Sequence, residues 1–239
     1  MIEIEHRASP SPYIARVWRA HARGVETMTS VANSTWELVV WNEGGRLLSS
    51  VRGPETRAST APVPQDSRSA GILFAHGVHM PHLPVAQLVD DQTAPRPVTG
   101  GHLELAGARW PLPEHTGAED FVQLLVGAGV LVRDPLVAAV LDGGRPTVSP
   151  RTVQRRVAVT TGLSLGLIRQ IARAREAALR LGAGAPVLEV VHGLGFYDQP
   201  HLSRALARFI GLTATQLARD GEAHPMSMLY SPPEFSESR

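Results

Sequence analysis

Two short stretches of this 239-residue sequence carry side chains suited to contacting base edges. In GFYDQPHLSRALARFIGLT, residues 195–213, Leu202, Ala205, Leu206 and Phe209 fall at i, i+3, i+4 and i+7 and make one buried helical stripe. Gln199, His201, Ser203, Arg204 and Arg208 are left on the other faces. In SPRTVQRRVAVTTG, residues 149–162, Val153 turns inward while Arg151, Thr152, Gln154 and Arg155 turn outward. Arginine pairs bidentately with guanine and glutamine with adenine, so these residue types early in a helix suit the major groove. Arg156 and Arg208 suit phosphate contacts or ion pairs. A different chemistry is offered by His76, His79 and His82, whose H-x-x-H-x-x-H spacing could present imidazoles to a metal. Pro81 and Pro84 make that segment a loop, and no carboxylate lies inside it, so neither a metal nor a cofactor is expected.

The elements that must hold these groups are punctuated locally. Asp198 reads as a helix cap with Pro200 in the first turn, and Ser149 as a cap with Pro150 opening a helix that ends at Gly162. DPLVAAVLDG repeats that grammar, with Asp134 as cap and Pro135 first. SLGLIRQIARAREAALRLGAG is a long amphipathic helix with Leu167, Ile168, Ile171, Ala174, Ala178 and Leu179 as its inner stripe. PVLEVVHGLG is a short helix; Gly193 and Gly195 then permit a turn, and Phe196 can plug the joint. Two units of short helix, turn and capped helix result. The helix from about 164 to 181 is roughly 27 Å long at 1.5 Å per residue. That is close to the ~34 Å of one duplex turn, so both capped helices could enter successive major grooves on one face.

Charge divides along the same line. Residues 145–220 hold eleven arginines against four acids, while residues 1–144 hold eleven against fifteen. A basic block beside an acidic one points to nucleic-acid binding by the basic part. Lysine and cysteine are both absent, which excludes disulfides, thiolate metal sites and thiol nucleophiles and suits an intracellular protein. No apolar run approaches a membrane span, and MIEIEHRASP lacks a secretory pattern; the expected location is cytoplasmic, at the nucleoid.

The first half reads as short strands. WELVVWNEGGRLLSSV is two apolar runs around Asn42-Glu43-Gly44-Gly45, a hairpin signal, and SAGILFAHG is a further strand. Trp18, Trp36, Trp41 and Trp110 are expected in a core or pocket wall. From Glu119 the period turns helical, starting with AEDFVQLLVGAGVL.

The run DQPHLSRALARFIGLT, preceded by GLGFY, resembles the signature of the AraC/XylS family of bacterial transcription regulators, and SPRTVQRRVAVTTGLS is similar to that family's first recognition helix. The resemblance covers about residues 134–220. It departs at Ala214, where proline is usual, at Val157, where a phenylalanine packs, and in a short first scanning helix. A looser resemblance over residues 10–110, carried by WELVVWNEGG, Arg52-Gly53-Pro54 and GILFAHGVHMPHLP, is to small cupin-like sensor domains. Relatives that repair DNA alkylation by transfer to cysteine are excluded by the lack of cysteine.

The expected fold is α+β: a mainly β, barrel-like sensor or dimerisation domain over 1–115, a connecting helix over 116–133, an all-α domain with two helix-turn-helix units and a long linker helix over 134–221, and a disordered tail over 222–239. The expected function is sequence-specific DNA binding through Arg151, Thr152, Gln154, Arg155, Gln199, His201, Ser203 and Arg204. The expected partners are double-stranded DNA, a small-molecule effector of the first domain, RNA polymerase if the protein activates, and a second copy of the chain. The competing reading is a metal-dependent cupin-type enzyme with a basic helical tail.

Overall fold

The computed structural model describes residues 2–220. Its first half is built on strands: β1 (Ile2–Arg7), β2 (Ile14–Ala22), β3 (Thr27–Ser30), β4 (Glu37–Glu43), β5 (Arg46–Arg52), β6 (Ser59–Pro62), β7 (Ser67–Phe74), β8 (Val78–His79), β9 (Arg96–Pro97), β10 (His102–Leu105) and β11 (Ala108–Pro111). The expected hairpin joins β4 to β5 with Glu43 opposite Arg46, leaving Gly44 and Gly45 as the two loop residues. Both have positive φ, 55° and 75°, as the twist-matched two-residue hairpin turn requires. Six strands form one antiparallel sheet in the order β1-β2-β7-β4-β5-β9; β7, distant in sequence, is inserted between β2 and β4.

Next come α1 (Ala118–Gly127) and β12 (Val132–Arg133), which pairs with β8. Phe121, Val122 and Leu125 of α1 join Val17, Leu38 and Ile72 of the sheet in one core, so the amphipathic helix closes one sheet face. Glu119 accepts two hydrogen bonds from the Arg7 guanidinium, at 2.6 and 2.7 Å, pinning the helix start to the edge strand. That partner holds the Glu119 carboxyl down to about 2. Trp36 stacks on Phe74 with ring centroids 3.9 Å apart and donates to the carbonyl of Val78, as its expected core place demands. Trp18, Trp41 and Trp110 are half-buried. Trp18 donates to Glu37, whose carboxyl is pushed up by burial against the lowering pull of Arg52 and of this bond.

The remainder is helical: α2 (Pro135–Leu141), α3 (Pro150–Thr161), α4 (Leu165–Gly182), α5 (Val187–Gly193), α6 (Gln199–Phe209) and α7 (Ala214–Asp220). With the strand-rich half before it, the α+β architecture is the expected one. Around α4, a second core gathers Val137, Val153, Val157, Ile168, Ile171, Leu202, Leu206 and Phe209. The α4 stripe is rotated slightly from the expected one: Ala177 and Leu181 are buried, whereas Leu167 and Leu179 are only half-buried. Arg175 occupies a buried position on the same face at 5% exposure.

The two cores meet along a polar seam. Val31 and Ala32, between β3 and β4, insert into the helical core. The Ala32 N–H donates to the carbonyl of Phe209 at 2.8 Å, the Ala58 N–H to that of Arg208 at 2.7 Å, and Arg175 Nη1 to the carbonyl of Ala32 at 2.7 Å. Behind them Asn33 and Glu55 exchange backbone hydrogen bonds, and Ser30 Oγ donates to the Glu55 carboxylate. Burial pushes the Glu55 carboxyl up to about 7; the Ser30 bond and Arg52 pull it down, while Glu37 and Asp90 raise it further. Gly162 ends α3 in the left-handed region, φ 73°, against the 3-10 turn Val85–Leu88; a Cβ there would lie 2.7 Å from the Cα of Ala86. The expected tail from 222 onward lies outside the described residues.

Candidate nucleic-acid interface

The caps set where each outward side chain starts. Ser149 Oγ accepts from the N–H of Thr152, Pro150 opens α3, and Asp198 Oδ1 accepts from the N–H of His201 at 2.7 Å at the start of α6. Such caps satisfy N–H groups that a helix start leaves without intrahelical partners. Asp134 caps α2 likewise, accepting from Leu136 and Val137, while its other oxygen takes the Arg156 guanidinium at 2.6 and 2.8 Å. Arg156 is therefore a member of an ion pair that ties α3 to α2.

On α3, Arg151, Gln154 and Arg155 are exposed and Val153 is buried. Thr152 is half-buried, its hydroxyl 3.0 Å from that of Ser149, so it takes part in the cap. On α6, Gln199, Ser203 and Arg204 are exposed above the buried Leu202, Leu206 and Phe209. His201 is different: its ring packs edge-on against Phe196, and its Nδ1 accepts from the N–H of Tyr197. Phe196 plugs the α5–α6 joint at 5% exposure, with the Arg173 guanidinium 4.8 Å over its ring. Arg208 lies over the Phe209 ring at 4.9 Å.

Tyr197, beside the Asp198 cap, is 90% exposed, a large side chain left open at the start of α6. Two of the departures from the expected pattern have local remedies, while the first scanning helix, α2, is indeed short at seven residues. Val157 is fully buried in the core in place of a phenylalanine. At the start of α7, Thr213 Oγ1 accepts from the N–H of Gln216 while Gln216 Oε1 accepts from the N–H of Thr213, a reciprocal capping box that begins the helix without proline.

The three histidines are not gathered. His76 is bonded to Ser34 Oγ at 3.0 Å and burial lowers its pKa to about 4, His79 Nδ1 faces the carbonyl of Gly77, and His82 is exposed. Among the described residues, no group of three His, Cys, Asp or Glu side chains could hold a metal ion. Nor is any described helix long and apolar enough to cross a membrane.

Two helix-turn-helix pairs, α2–α3 and α5–α6, share one 18-residue central helix, which is the build of a DNA-binding regulator's reading head. Residues 145–220 match the family model of a helix-turn-helix domain of the AraC type, which supports a DNA-binding regulator of that type. The match begins after α2 and runs through α7. No curated protein and no solved structure matches the chain.

Proposed function

We propose that the chain reads specific DNA sequences through the N-terminal halves of α3 and α6, under the control of a small-molecule effector bound in its strand-rich domain. The observation that carries this is the pairing of two capped helices, each with exposed arginine and glutamine in its opening turns, on one rigid helix of about 27 Å. Arg151, Gln154, Gln199 and Arg204 face base edges; Arg155, Ser203, His201 and Thr152 complete the contact surface. Arg208 lies beyond the reading turns and serves a phosphate. An effector has room in a cavity of about 480 Å³ on the sheet face beside α1, floored by Val40, Leu47 and Ala70 and rimmed by Arg19, His21 and Arg68. Two copies pair through the strand-rich domain, and a promoter-bound activator would touch RNA polymerase.

The test is a binding titration at two salt concentrations. It compares a duplex recovered by genome-wide mapping of the protein with random duplex. Arg204→Ala and Arg151→Ala should each cost about 1–3 kcal/mol on the recovered site and relax preference at one or two base pairs. Arg208→Ala should weaken both duplexes alike and lower the salt slope by about one. Equal losses on both duplexes for Arg204→Ala and Arg151→Ala would make these arginines phosphate clamps and refute the readout.

A further inference from the structure

The strand-rich domain grips both reading helices, each at its C-terminal end. At the end of α3, a Cβ on Gly162 would lie 2.7 Å from Ala86 Cα and 2.8 Å from Val89 Cγ2, beside the 3-10 turn. Val89 packs on the helical core, while its neighbour Leu88 is buried in the strand core. At the end of α6, the carbonyls of Arg208 and Phe209 accept from the N–H groups of Ala58 and Ala32, and Gly211 lies against Ala58 and Thr29. One segment, residues 53–58, runs directly out of β5 and joins the two grips. Toward α3, the Gly53 N–H donates to the carbonyl of Asp91 at 3.0 Å, and the Pro54 carbonyl accepts from the N–H of Asp90 at 2.8 Å. Thr56 donates to the Asp90 carboxylate from both its N–H and its hydroxyl, at 2.6 Å each. Toward α6, Glu55 exchanges two backbone hydrogen bonds with Asn33, next to Ala32, and Ala58 reaches Arg208.

The backbone there is specialised. A Cβ on Gly53 would overlap the carbonyl oxygen of Leu88, so only glycine passes this closely. Asp90 holds a left-handed φ of 58°, a costly conformation for a residue other than glycine, which persists where surrounding bonds over-determine it. Two bodies joined by one helix can twist about that joint, and a second attachment between them closes a ring and removes the freedom. Here the ring runs through α3, α4, α6, the 53–58 strap and the 3-10 turn. The geometry points to residues 53–58, pinned by Asp90, as the positioning element that fixes the separation and rotation of the two reading heads. It thereby sets the half-site spacing that the protein accepts. The inference rests on the reading of α3 and α6 as the DNA-contacting helices. Since the strap continues β5, whose Leu47 floors the sheet-face cavity, the effector site and the spacing of the heads share one strand.

The test titrates the full chain on the mapped duplex and on the same duplex with one base pair inserted or removed between the half-sites. Such a change shifts one half-site by about 3.4 Å and rotates it by about 35°. The wild type should lose about tenfold or more in affinity, because both heads can no longer engage together. Asp90→Gly keeps the left-handed backbone and removes both acceptors for Thr56; it should shrink that spacing penalty by about threefold or more. Thr56→Val loses only the hydroxyl bond and should shrink it by less. Asp90→Asn keeps an acceptor for the Thr56 N–H and should stay near the wild type. Ala106→Gly, at a left-handed position in the β10–β11 turn, should leave the penalty as it is. An unchanged penalty in Asp90→Gly and Thr56→Val, an equal loss of affinity on every duplex, or Asp90→Asn acting like Asp90→Gly overturns the strap as a positioning element. A wild type that prefers the mapped half-sites yet ignores their spacing overturns it as well. Failure of the DNA reading shows separately, as equal binding of mapped and random duplex by the wild type.

Discussion

Glu55 ties the pH dependence of stability to the seam between the domains. Its carboxyl is pushed up to about 7 by burial beside Ser30 and Glu37, whereas in the unfolded chain it titrates at about 4.5. Between those values the folded state holds a proton that the unfolded state has released. Raising the pH through this window therefore removes stability, and the loss is complete just above pH 7. At about 1.4 kcal/mol per pH unit between the two values, the loss is at most ~3 kcal/mol. His76 acts with the opposite sign: its value is lowered to about 4, so stability rises with pH until the unfolded imidazole is neutral near 6.5. Glu119, held near 2, loses its contribution only as pH falls below about 4.5. Glu37, also pushed up by burial, acts with the same sign as Glu55 and raises it, so it belongs to the same response. Comparing the wild type with Glu55→Gln at each pH cancels His76 and Glu119, which do not act on Glu55. The amide keeps the shape and neutrality of the protonated acid, so the two proteins should have similar stability at pH 5. By pH 8 the variant should be more stable by ~2–3 kcal/mol. Urea unfolding at pH 5, 6, 7 and 8 measures this. A difference that does not change with pH, or a wild type that gains on the variant toward pH 8, would refute the reasoning.

Three further outcomes are expected. Phe209→Ala should destabilise the fold by about 3–5 kcal/mol in denaturant melts, because the ring is buried among the helices and its loss leaves a cavity. Asp198→Ala should cost about 1 kcal/mol of stability by removing the cap bond to His201, and should weaken DNA binding through the loosened start of α6. Gly162→Ala should cost at least ~1–2 kcal/mol from the left-handed backbone alone. It should also loosen the two domains, since the added methyl meets Ala86; faster limited proteolysis at the seam reads that second effect.

The parts of the reading head that the sequence displayed are those set by neighbours a few residues apart. Ser149-Pro150, Asp134-Pro135 and Asp198 start helices because a side chain can reach an N–H two or three positions on, whatever the rest of the chain does. The stripe Leu202, Leu206, Phe209 follows from 3.6 residues per turn, which also sets Gln199 and Arg204 outward. Gly44-Gly45 announces its hairpin because only residues at ease with positive φ match the twist of the flanking strands. His201 was legible as a residue of the second head but not as one packed on Phe196, because that contact crosses the turn.

Tertiary structure alone decided what depends on distant segments meeting. Nothing near β7 marks it for the place between β2 and β4, since a strand accepts any partner whose register buries the same face. Arg175 stands on the buried side of α4, four residues after Ile171, and could have been noticed as a charge out of pattern. Its partner, the carbonyl of Ala32, lies 143 residues earlier in the chain. Caps, turns and stripes are local free-energy choices and are written where they act. The seam is a bargain between surfaces far apart in sequence, settled only when both cores have formed.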